Sequence, residues 1–204
     1  MATHEKINEI IIASTNKGKI EEFKALLNGL DIEVKSMQEV LNKTIDIKEN
    51  GSTFKENALL KAQTISKMIN GVVLADDSGL VIDALDGKPG IESARFLGHD
   101  TSYVIKNNCI LEMMRQQKNR NARFVCAIAI IIPNKEPILI EETFEGEIAH
   151  AIEGENGFGY DPIFYYPPLQ KTSASMTLEE KNQYSHRAKA LKKAVEVIKK
   201  IKGE

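Results

Sequence analysis

Two adjacent carboxylates follow an apolar run near the middle of the chain. The run at residues 72–75 leads directly into Asp76 and Asp77, and Ser78 and Gly79 come next. The run predicts a strand buried on both faces, and we expect it to end at the acids because Gly79 allows a bend. Successive side chains of a strand point to opposite faces, so Asp76 and Asp77 are expected to have different roles. A carboxylate at a strand tip suits Mg²⁺ binding or proton transfer from water, whereas the simpler interpretation is an Asp-Ser-Gly turn.

A polar loop that links a predicted strand to a predicted helix is a candidate phosphate site. The apolar run at residues 7–13 predicts the strand. The helix is indicated by apolar residues at helical spacing, namely Ile20, Phe23, Leu27 and Leu30. The loop between them consists of Ser14, Thr15, Asn16, Lys17, Gly18 and Lys19. Backbone N–H groups at a helix start favour an anion, although Ser and Asn are also common N-caps and the Walker spacing is absent.

A second helix is predicted before the carboxylates. Thr53 and Glu56 fit a capping box at its start, and Gly71 closes it. Its buried stripe is marked by Phe54, Ala58, Ala62, Ile65 and Met68. Asn57 and Lys61 lie on another face, which they share because they are four residues apart. Such a polar face is most often simply solvated.

Glycines surround an aromatic residue in the last third of the chain. Gly157, Phe158 and Gly159 are followed by Tyr160 and Asp161. Glycines beside an exposed aromatic suit a loop that closes on a flat ligand, and nucleobases stack on aromatic faces. Asp161 could bond a base or ribose edge. The alternative interpretation is a tight turn with a core phenylalanine.

The C-terminal stretch predicts a long helix that begins with a capping box at Thr177 and Glu180. Its buried stripe consists of Ala188, Leu191, Val195, Ile198 and Ile201. Lys181, His186 and Arg187 lie near its start. His186 and Arg187 are adjacent and diverge by about 100° on a helix, so both reach one ligand only from its edge.

The remaining segments predict an α/β fold with a mixed, partly parallel sheet and flanking helices. Residues 31–36 and 80–85 are expected to be strands, and 37–41 a short helix. The helix predicted over residues 101–117 is expected to bury Val104, Ile105, Leu111 and Met114. Two further predicted strands, 123–132 and 137–148, are close enough to form an antiparallel hairpin.

Composition narrows the classes of function. The 204 residues suffice for a single domain, 1–204, or one domain with two lobes, and the net charge of −2 gives no sign of nucleic-acid binding. Two cysteines form no metal-binding pattern, and the longest apolar run, 124–132, is too short to span a membrane. The polar residues 1–6 are expected to carry no signal peptide, so we expect a cytoplasmic protein.

Six motifs in this order resemble those of the inosine triphosphate pyrophosphatase family, which removes non-canonical purine nucleotides. They are Ser14-x-Asn16-x-x-Lys19, Gly51-Ser52-Thr53-Phe54 with Glu56-Asn57-Ala58 and Lys61, Asp76-Asp77-Ser78-Gly79-Leu80, Pro89-Gly90-Ile91 with Ser93-Ala94-Arg95, Gly157-Phe158-Gly159-Tyr160-Asp161-Pro162, and Ser185-His186-Arg187. The resemblance extends from about residue 7 to residue 200. Two departures are Ser14, where the family often has threonine, and Asn156, where it has glycine.

The resemblance implies two lobes that enclose a nucleotide cleft, a homodimer, Mg²⁺, and hydrolysis of ITP, dITP and XTP to the monophosphate and pyrophosphate. It implies that residues 14–19 hold the phosphates and that Lys61 faces them. Asp77 would be the general base and a metal ligand, with Glu49 as a second ligand. Ser78 would touch the substrate. The base would be held by Phe158, Gly159, Tyr160, Asp161, Lys181, His186 and Arg187.

The mechanism and two alternatives follow from residue types. No activated Ser or Cys nucleophile is evident, so water is the expected attacker, deprotonated by Asp77 or by the metal. One alternative is a pyrophosphatase of the same fold that acts on modified pyrimidine or methylated nucleotides. The other is a nucleotide sensor that binds without turnover, which the intact Asp77, Glu49 and Lys61 oppose.

Overall fold

In the computed structural model, residues 7–28, 31–43, 45 and 47–202 are described. Their strands are β1 (Glu9–Ile12), β2 (Glu33–Ser36), β3 (Val72–Ile82), β4 (Asn121–Ile131), β5 (Ile138–Ile148), β6 (Phe164–Tyr166) and β7 (Lys171–Thr172). Their α-helices are α1 (Lys17–Leu27), α2 (Met37–Leu41), α3 (Phe54–Ser66), α4 (Tyr103–Met113), α5 (Leu178–Tyr184) and α6 (His186–Lys202). Leu30 and Asp46, which the sequence placed in a helix and a loop, lie outside the described residues. None of the described helices is both long and apolar enough to cross a membrane.

The strands hydrogen-bond in the order β2-β1-β3-β4-β5-β6-β7. β1 pairs in parallel with β2 and with β3, with Ile10 opposite Val34 and Val72. β5–β6 and β6–β7 are antiparallel. The short connection 132–137 joins neighbouring strands β4 and β5, and a parallel crossover would need about a dozen residues or more. The predicted mixed α/β sheet with flanking helices is therefore confirmed.

The strand that carries the two carboxylates does not end at them, so that prediction was wrong. β3 continues through Asp76, Asp77 and Gly79 to Ile82, so the strand expected at residues 80–85 is confirmed for residues 80–82, whereas Asp83–Leu85 form a 3₁₀ turn. The parallel ladder with β1 stops at Leu74, because β1 itself ends at Ile12. The acids are thus placed just beyond the carboxyl end of β1, inside a continuous strand.

The chain divides into two compact units, each with its own core. Unit 1 contains residues 1–77, 126–141 and 190–204. Its core residues alternate along three strands, as in Ile10 and Ile12, and therefore lie on one face of the sheet. Phe23 and Leu27 of α1 and the inward stripe of α6 pack against that face. Val195 and Ile201, expected to be buried, are partly buried against the same cluster.

Unit 2 contains residues 78–125 and 142–189. Its core contains packed aromatic residues, in which the Phe124 and Phe144 ring centroids lie 4.5 and 5.0 Å from that of Phe164. Ile110 and Met114 of the α4 region complete this cluster. The prediction that two lobes enclose a nucleotide cleft stays a prediction.

The inward face of α4 differs from the expected one. Val104 and Ile105 are 65% and 57% exposed, so their predicted burial was wrong. The inward positions are taken by Lys106 and Asn107, one turn before the buried Ile110. Hydrophobicity alone could not locate this face, because two polar residues occupy it.

Two other helix predictions needed correction. α3 ends at Ser66, which leaves Met68 beyond the helix and 50% exposed rather than buried. The predicted long C-terminal helix is two helices, because Ser185 has an extended backbone with ψ of 147°. The backbone N–H of Ser185 donates to Lys181 and ends α5, while its hydroxyl accepts from the N–H of Ala188 and caps α6.

Candidate active site

The predicted phosphate loop leads into the capped N-terminus of α1. The Asn16 side chain accepts from the backbone N–H of Lys19 at 3.2 Å, and the Ser14 hydroxyl accepts from the N–H of Asn16 at 3.2 Å. Thr15, Asn16, Lys17 and Gly18 are exposed. The loop therefore has the helix-start geometry that favours an anion.

The side chain of Lys19 turns toward β3. Its Nζ lies 2.6 Å from Oδ2 of Asp76, and the two side chains are 15% and 1% exposed. Asp76 is thus a buried carboxylate compensated by a cation from the predicted phosphate loop. This contact gives Asp76 a structural role, in line with the expectation that the two adjacent carboxylates differ in role.

Asp77 lies on the opposite face of β3 with a different cation. Nζ of Lys61 lies 3.1 Å from Oδ1 of Asp77 and 2.7 Å from Oε1 of Glu49. The Asp77 side chain is 8% exposed. One ammonium therefore contacts both carboxylates that are predicted to bind a metal. Asp76 and Asp77 were expected to differ in role, and they do pair with different lysines on opposite faces of β3.

Asn57 completes this group, and sequence reasoning had noted it without giving it a role. Its Nδ2 donates to Oδ2 of Asp77 at 3.2 Å, and its Oδ1 accepts from the N–H of Gly51 at 2.8 Å. Asn57 is fully buried. The signal was its spacing from Lys61, since residues four apart on α3 share a face and here both contact Asp77.

Burial and charge set the protonation of this group. Burial raises the pKa of the Asp77 carboxyl above its ordinary value of 3.8, and Glu49 adds to the rise while Lys61 opposes it. Burial by itself lowers the pKa of Lys61, but the carboxylates of Asp77, Asp76 and Glu49 outweigh it and the net pKa is raised above 10.5. Lys61 is therefore a cation at neutral pH, and Asp77 is a stronger base than an exposed aspartate.

The donor set fits a hard divalent cation. Among the described residues, no group of three or more His, Cys, Asp and Glu side chains is arranged to hold a metal. Mg²⁺ is commonly bound through one or two carboxylates together with substrate phosphates. Asp77 and Glu49 supply such a pair, and they already share one cation, the Lys61 ammonium.

In unit 2, Asp161 anchors the glycine loop rather than standing free. Its Oδ2 accepts from the N–H of Phe158 at 2.9 Å and from Nζ of Lys181 at 2.6 Å. Its Oδ1 accepts from the Ser173 hydroxyl at 2.8 Å. A Cβ on Gly157 would collide with the same carboxylate, and its φ of +75° also favours glycine. Asp161 thus fixes the backbone that presents Phe158.

Phe158 is the exposed aromatic residue that the sequence suggested. It is 43% exposed, and Nζ of Lys181 and Cζ of Arg187 each lie 5.4 Å from its ring centroid. Nη2 of Arg187 lies 3.4 Å from the Ser78 hydroxyl. The structure therefore brings together Phe158, Asp161, Lys181, Arg187 and Ser78.

Two further residues predicted to hold the base have side chains that are buried in unit 2. The Tyr160 hydroxyl donates to the Ser93 carbonyl at 2.7 Å, and Tyr160 is 4% exposed. His186 is 6% exposed and stacks on Phe124 with ring centroids 4.9 Å apart. The prediction that Tyr160, His186 and Gly159 hold the base stays a prediction.

Comparison with known proteins identifies the family of the chain. The family model described as the Ham1 family matches residues 10–197. The chain belongs to the Ham1 family. This match confirms the family resemblance seen in the motifs. The relatives of this Ham1-family chain include the dITP/XTP pyrophosphatase of Geobacillus kaustophilus (strain HTA426), 47% identical with 97% of each chain covered. Another is the dITP/XTP pyrophosphatase of Bacillus subtilis (strain 168), 44% identical over 94% of this chain and 98% of the relative.

Solved structures of Ham1 proteins share the fold. The Staphylococcus aureus Ham1 protein is 43% identical with a TM-score of 0.87, covering 94% of this chain and 98% of that one. A HAM1 protein from Coxiella burnetii is 40% identical with a TM-score of 0.88 over the same shares. The Ham1 fold of this chain therefore rests on sequence and structure together.

The raised pKa of Asp77 predicts a pH-dependent stability difference. Between 3.8 and the raised value, the folded protein holds a proton that the unfolded chain has lost, so wild type should lose stability relative to Asp77→Asn as pH rises. Urea unfolding of both proteins in EDTA, from about pH 3 to about pH 8, measures this difference.

Glu39 provides a control of opposite sign. Hydrogen bonds from Ser36 and Lys24 lower the pKa of Glu39 from 4.5 to about 2. Wild type should therefore gain stability relative to Glu39→Gln as pH rises through the ordinary glutamate range. A wild-type advantage over Asp77→Asn that grows with pH would contradict the burial argument.

Proposed function

We propose that this chain hydrolyses the non-canonical purine nucleoside triphosphates ITP, dITP and XTP to the monophosphate and pyrophosphate, and so cleanses the nucleotide pool. The observation that carries the proposal is the buried Asp77 carboxylate, which contacts Lys61 and shares that ammonium with Glu49. The name dITP/XTP pyrophosphatase, borne by relatives up to 47% identical, gives further support.

Phosphate binding falls to the cations of unit 1. A triphosphate carries several negative charges, and phosphoryl transfer is catalysed mainly by positioning and charge stabilisation. Lys19 and Lys61 each contact a carboxylate on β3, so their ammonium groups are held in defined positions before substrate arrives. The backbone N–H groups of the exposed residues Lys17 and Gly18, at the start of α1 within residues 14–19, are suited to the same anion.

Asp77 and Glu49 would hold Mg²⁺. When bound, the ion would offset phosphate charge and make a bound water more acidic. This assignment accords with the raised pKa of Asp77, since part of the rise comes from the Glu49 carboxylate and a divalent cation held by both carboxylates would relieve that repulsion.

The reaction needs no covalent intermediate. The oxygen of water attacks the α-phosphorus, and the bond from that phosphorus to the α–β bridging oxygen breaks, releasing pyrophosphate. The proton of the water passes to the carboxylate of Asp77, whose raised pKa suits a general base. Asn57 orients that carboxylate through its 3.2 Å contact with Oδ2.

Recognition of the base falls to the unit 2 group. Phe158 is exposed enough to stack on a purine, and stacking contributes about 1–3 kcal/mol per base. Arg187 carries only donors, and Lys181 carries three. A donor pairs with the 6-carbonyl of hypoxanthine or xanthine and finds no partner in the 6-amino group of adenine. The ring of His186 packs on Phe124, and this contact helps to fix the position of the adjacent Arg187.

The expected oligomeric state follows from the resemblance to the inosine triphosphate pyrophosphatase family. We infer a homodimer in the cytoplasm that acts on free nucleotides rather than on nucleic acid. The net charge of −2 agrees with a small-molecule substrate.

The products should identify the bond that breaks. With ITP and Mg²⁺, we expect IMP and pyrophosphate in equal amounts, loss of activity on chelation and recovery with added Mg²⁺. Chromatography of nucleotides with separate assays for pyrophosphate and orthophosphate measures this. Stepwise release of orthophosphate with accumulation of IDP would contradict attack at the α-phosphorus. Binding of nucleotides without turnover would indicate a nucleotide sensor.

Asp77 and Asp76 should respond differently to neutralisation. Asp77→Asn should lower kcat by roughly 10²-fold or more while substrate binding is retained, because its role is in the transition state. Asp76→Asn should act through stability, since removing one partner of a buried ion pair costs about 3–5 kcal/mol. Steady-state kinetics and urea unfolding of both variants separate the two effects. Equal catalytic losses at unchanged stability would mean that the roles are exchanged.

Arg187 should govern discrimination against adenine. An unpaired buried donor costs about 1–3 kcal/mol, so ITP should be preferred to ATP by roughly 10- to 100-fold per contact, and Arg187→Ala should lose that preference. The measurement is kcat/KM for ITP, XTP, GTP and ATP, with the exposed Lys192→Ala on the same helix as control. A loss by one common factor on all four nucleotides would assign Arg187 to phosphate or to structure.

A further inference from the structure

The polar inward face of α4 is unexplained by packing. Lys106 and Asn107 are 1% and 3% exposed, while the apolar Val104 and Ile105 on the same helix point outward. Burying a polar side chain in place of an apolar one lowers stability unless its bonds are made. The contacts of these two residues therefore indicate what the arrangement achieves.

Both residues donate to backbone carbonyls beside Tyr160. Nζ of Lys106 donates to the Ala94 carbonyl at 2.7 Å, and Nδ2 of Asn107 donates to the Gly159 carbonyl at 3.1 Å. Tyr160 joins the two segments, because its hydroxyl donates to the Ser93 carbonyl at 2.7 Å. α4 thus contacts both of the segments that Tyr160 joins.

The hydrogen bond of Asn107 to Gly159 leaves another polar atom of the same side chain without a partner, which lowers the stability of the fold. Because Gly159 presents a carbonyl, the amide nitrogen must face it, and Oδ1 then points elsewhere. That buried oxygen has no hydrogen-bond partner among the described residues. Leucine has nearly the same shape without an unpaired acceptor, so asparagine is favoured here by its bond to Gly159 rather than by stability.

The bond to Gly159 lies on the opposite side of Phe158 from the Asp161 anchor. Asp161 holds the N–H of Phe158, and Asn107 holds the carbonyl of the next residue. The exposed ring of Phe158 is therefore presented from a backbone fixed on both sides. Loss of the Asn107 bond removes one of these two anchors.

We propose that Asn107 is a positioning residue for nucleobase recognition, which fixes the stacking orientation of Phe158 through the Gly159 carbonyl without touching the ligand. This inference rests on the proposed function, in which Phe158 stacks on the purine. Stacking acts equally on bound substrate and transition state, so it affects KM far more than kcat.

The test replaces Asn107 with leucine, which retains the shape and removes the donor. In Asn107→Leu, amide hydrogen exchange in the segment 156–161 should accelerate about tenfold while the core strands stay protected. KM for ITP should rise about 5- to 10-fold with kcat changed less than about twofold. Melting temperature should be unchanged or higher, because the unpaired acceptor is removed.

A neighbour on the same helix serves as the control. Asn108 is exposed and donates to the Val104 carbonyl of its own helix at 2.8 Å, so Asn108→Leu should change neither exchange nor KM. Asn107→Ala is a second variant for use if the leucine variant does not fold.

The outcomes separate this inference from the proposed function. Unchanged exchange at 156–161, or faster exchange throughout unit 2, overturns the positioning role. Faster local exchange with an unchanged KM overturns the link to recognition. If wild type turns over none of the nucleotides, the proposed function fails, and the exchange measurement still decides whether Asn107 fixes the loop.

Discussion

The contact between the Asp77 carboxylate and the Lys61 ammonium constrains the positions of several other elements of unit 1. A carboxylate as buried as Asp77 is tolerated only with a charge partner and hydrogen bonds. α3 must therefore present Lys61 and Asn57 to β3 together, which their four-residue spacing allows. On the other face of the strand, α1 must begin where Lys19 reaches Asp76. Two helix positions are thus tied to two consecutive residues of one strand.

The same arrangement places several carboxylates close together and partly buried at the proposed catalytic site, which is unfavourable for the stability of the fold. Asp76, Asp77 and Glu49 all act on the pKa of Lys61, and burial keeps the pKa of Asp77 raised. A protein selected only for stability would place fewer carboxylates there. Clusters of this kind are common at functional sites, because a group poised between its charged and neutral forms transfers protons readily.

The sequence predicted the order of elements well and their limits less well. Apolar runs identified β1, β3, β4 and β5, and capping residues located the starts of α3 and α5. The end of β3 was missed because its carboxylates are compensated by Lys19 and Lys61, which are distant in the chain. The break at Ser185 was missed because serine interrupts a helix only when its backbone becomes extended, which composition does not reveal.

The site was predictable as residue types but not as contacts. Motif spacing found Asp77, Lys61, Phe158 and Arg187, whereas the anchoring role of Asp161 depends on Ser173 and Lys181 folding back onto it. The inward face of α4 was predicted wrongly, since hydrophobic periodicity assumes that helices bury apolar residues. At that face the helix buries donors for backbone carbonyls instead.

The division between α5 and α6 has a consequence for binding energetics. α5 spans only Leu178–Tyr184, and helices shorter than about 12–15 residues are marginal in isolation. Its helical state therefore depends on its capping box, the Lys171–Glu180 ion pair and the contact of Lys181 with Asp161. A segment of this kind opens locally at lower free energy than the core. A ligand that needs Lys181 in place binds with an affinity reduced by the fraction of molecules in which α5 is unfolded.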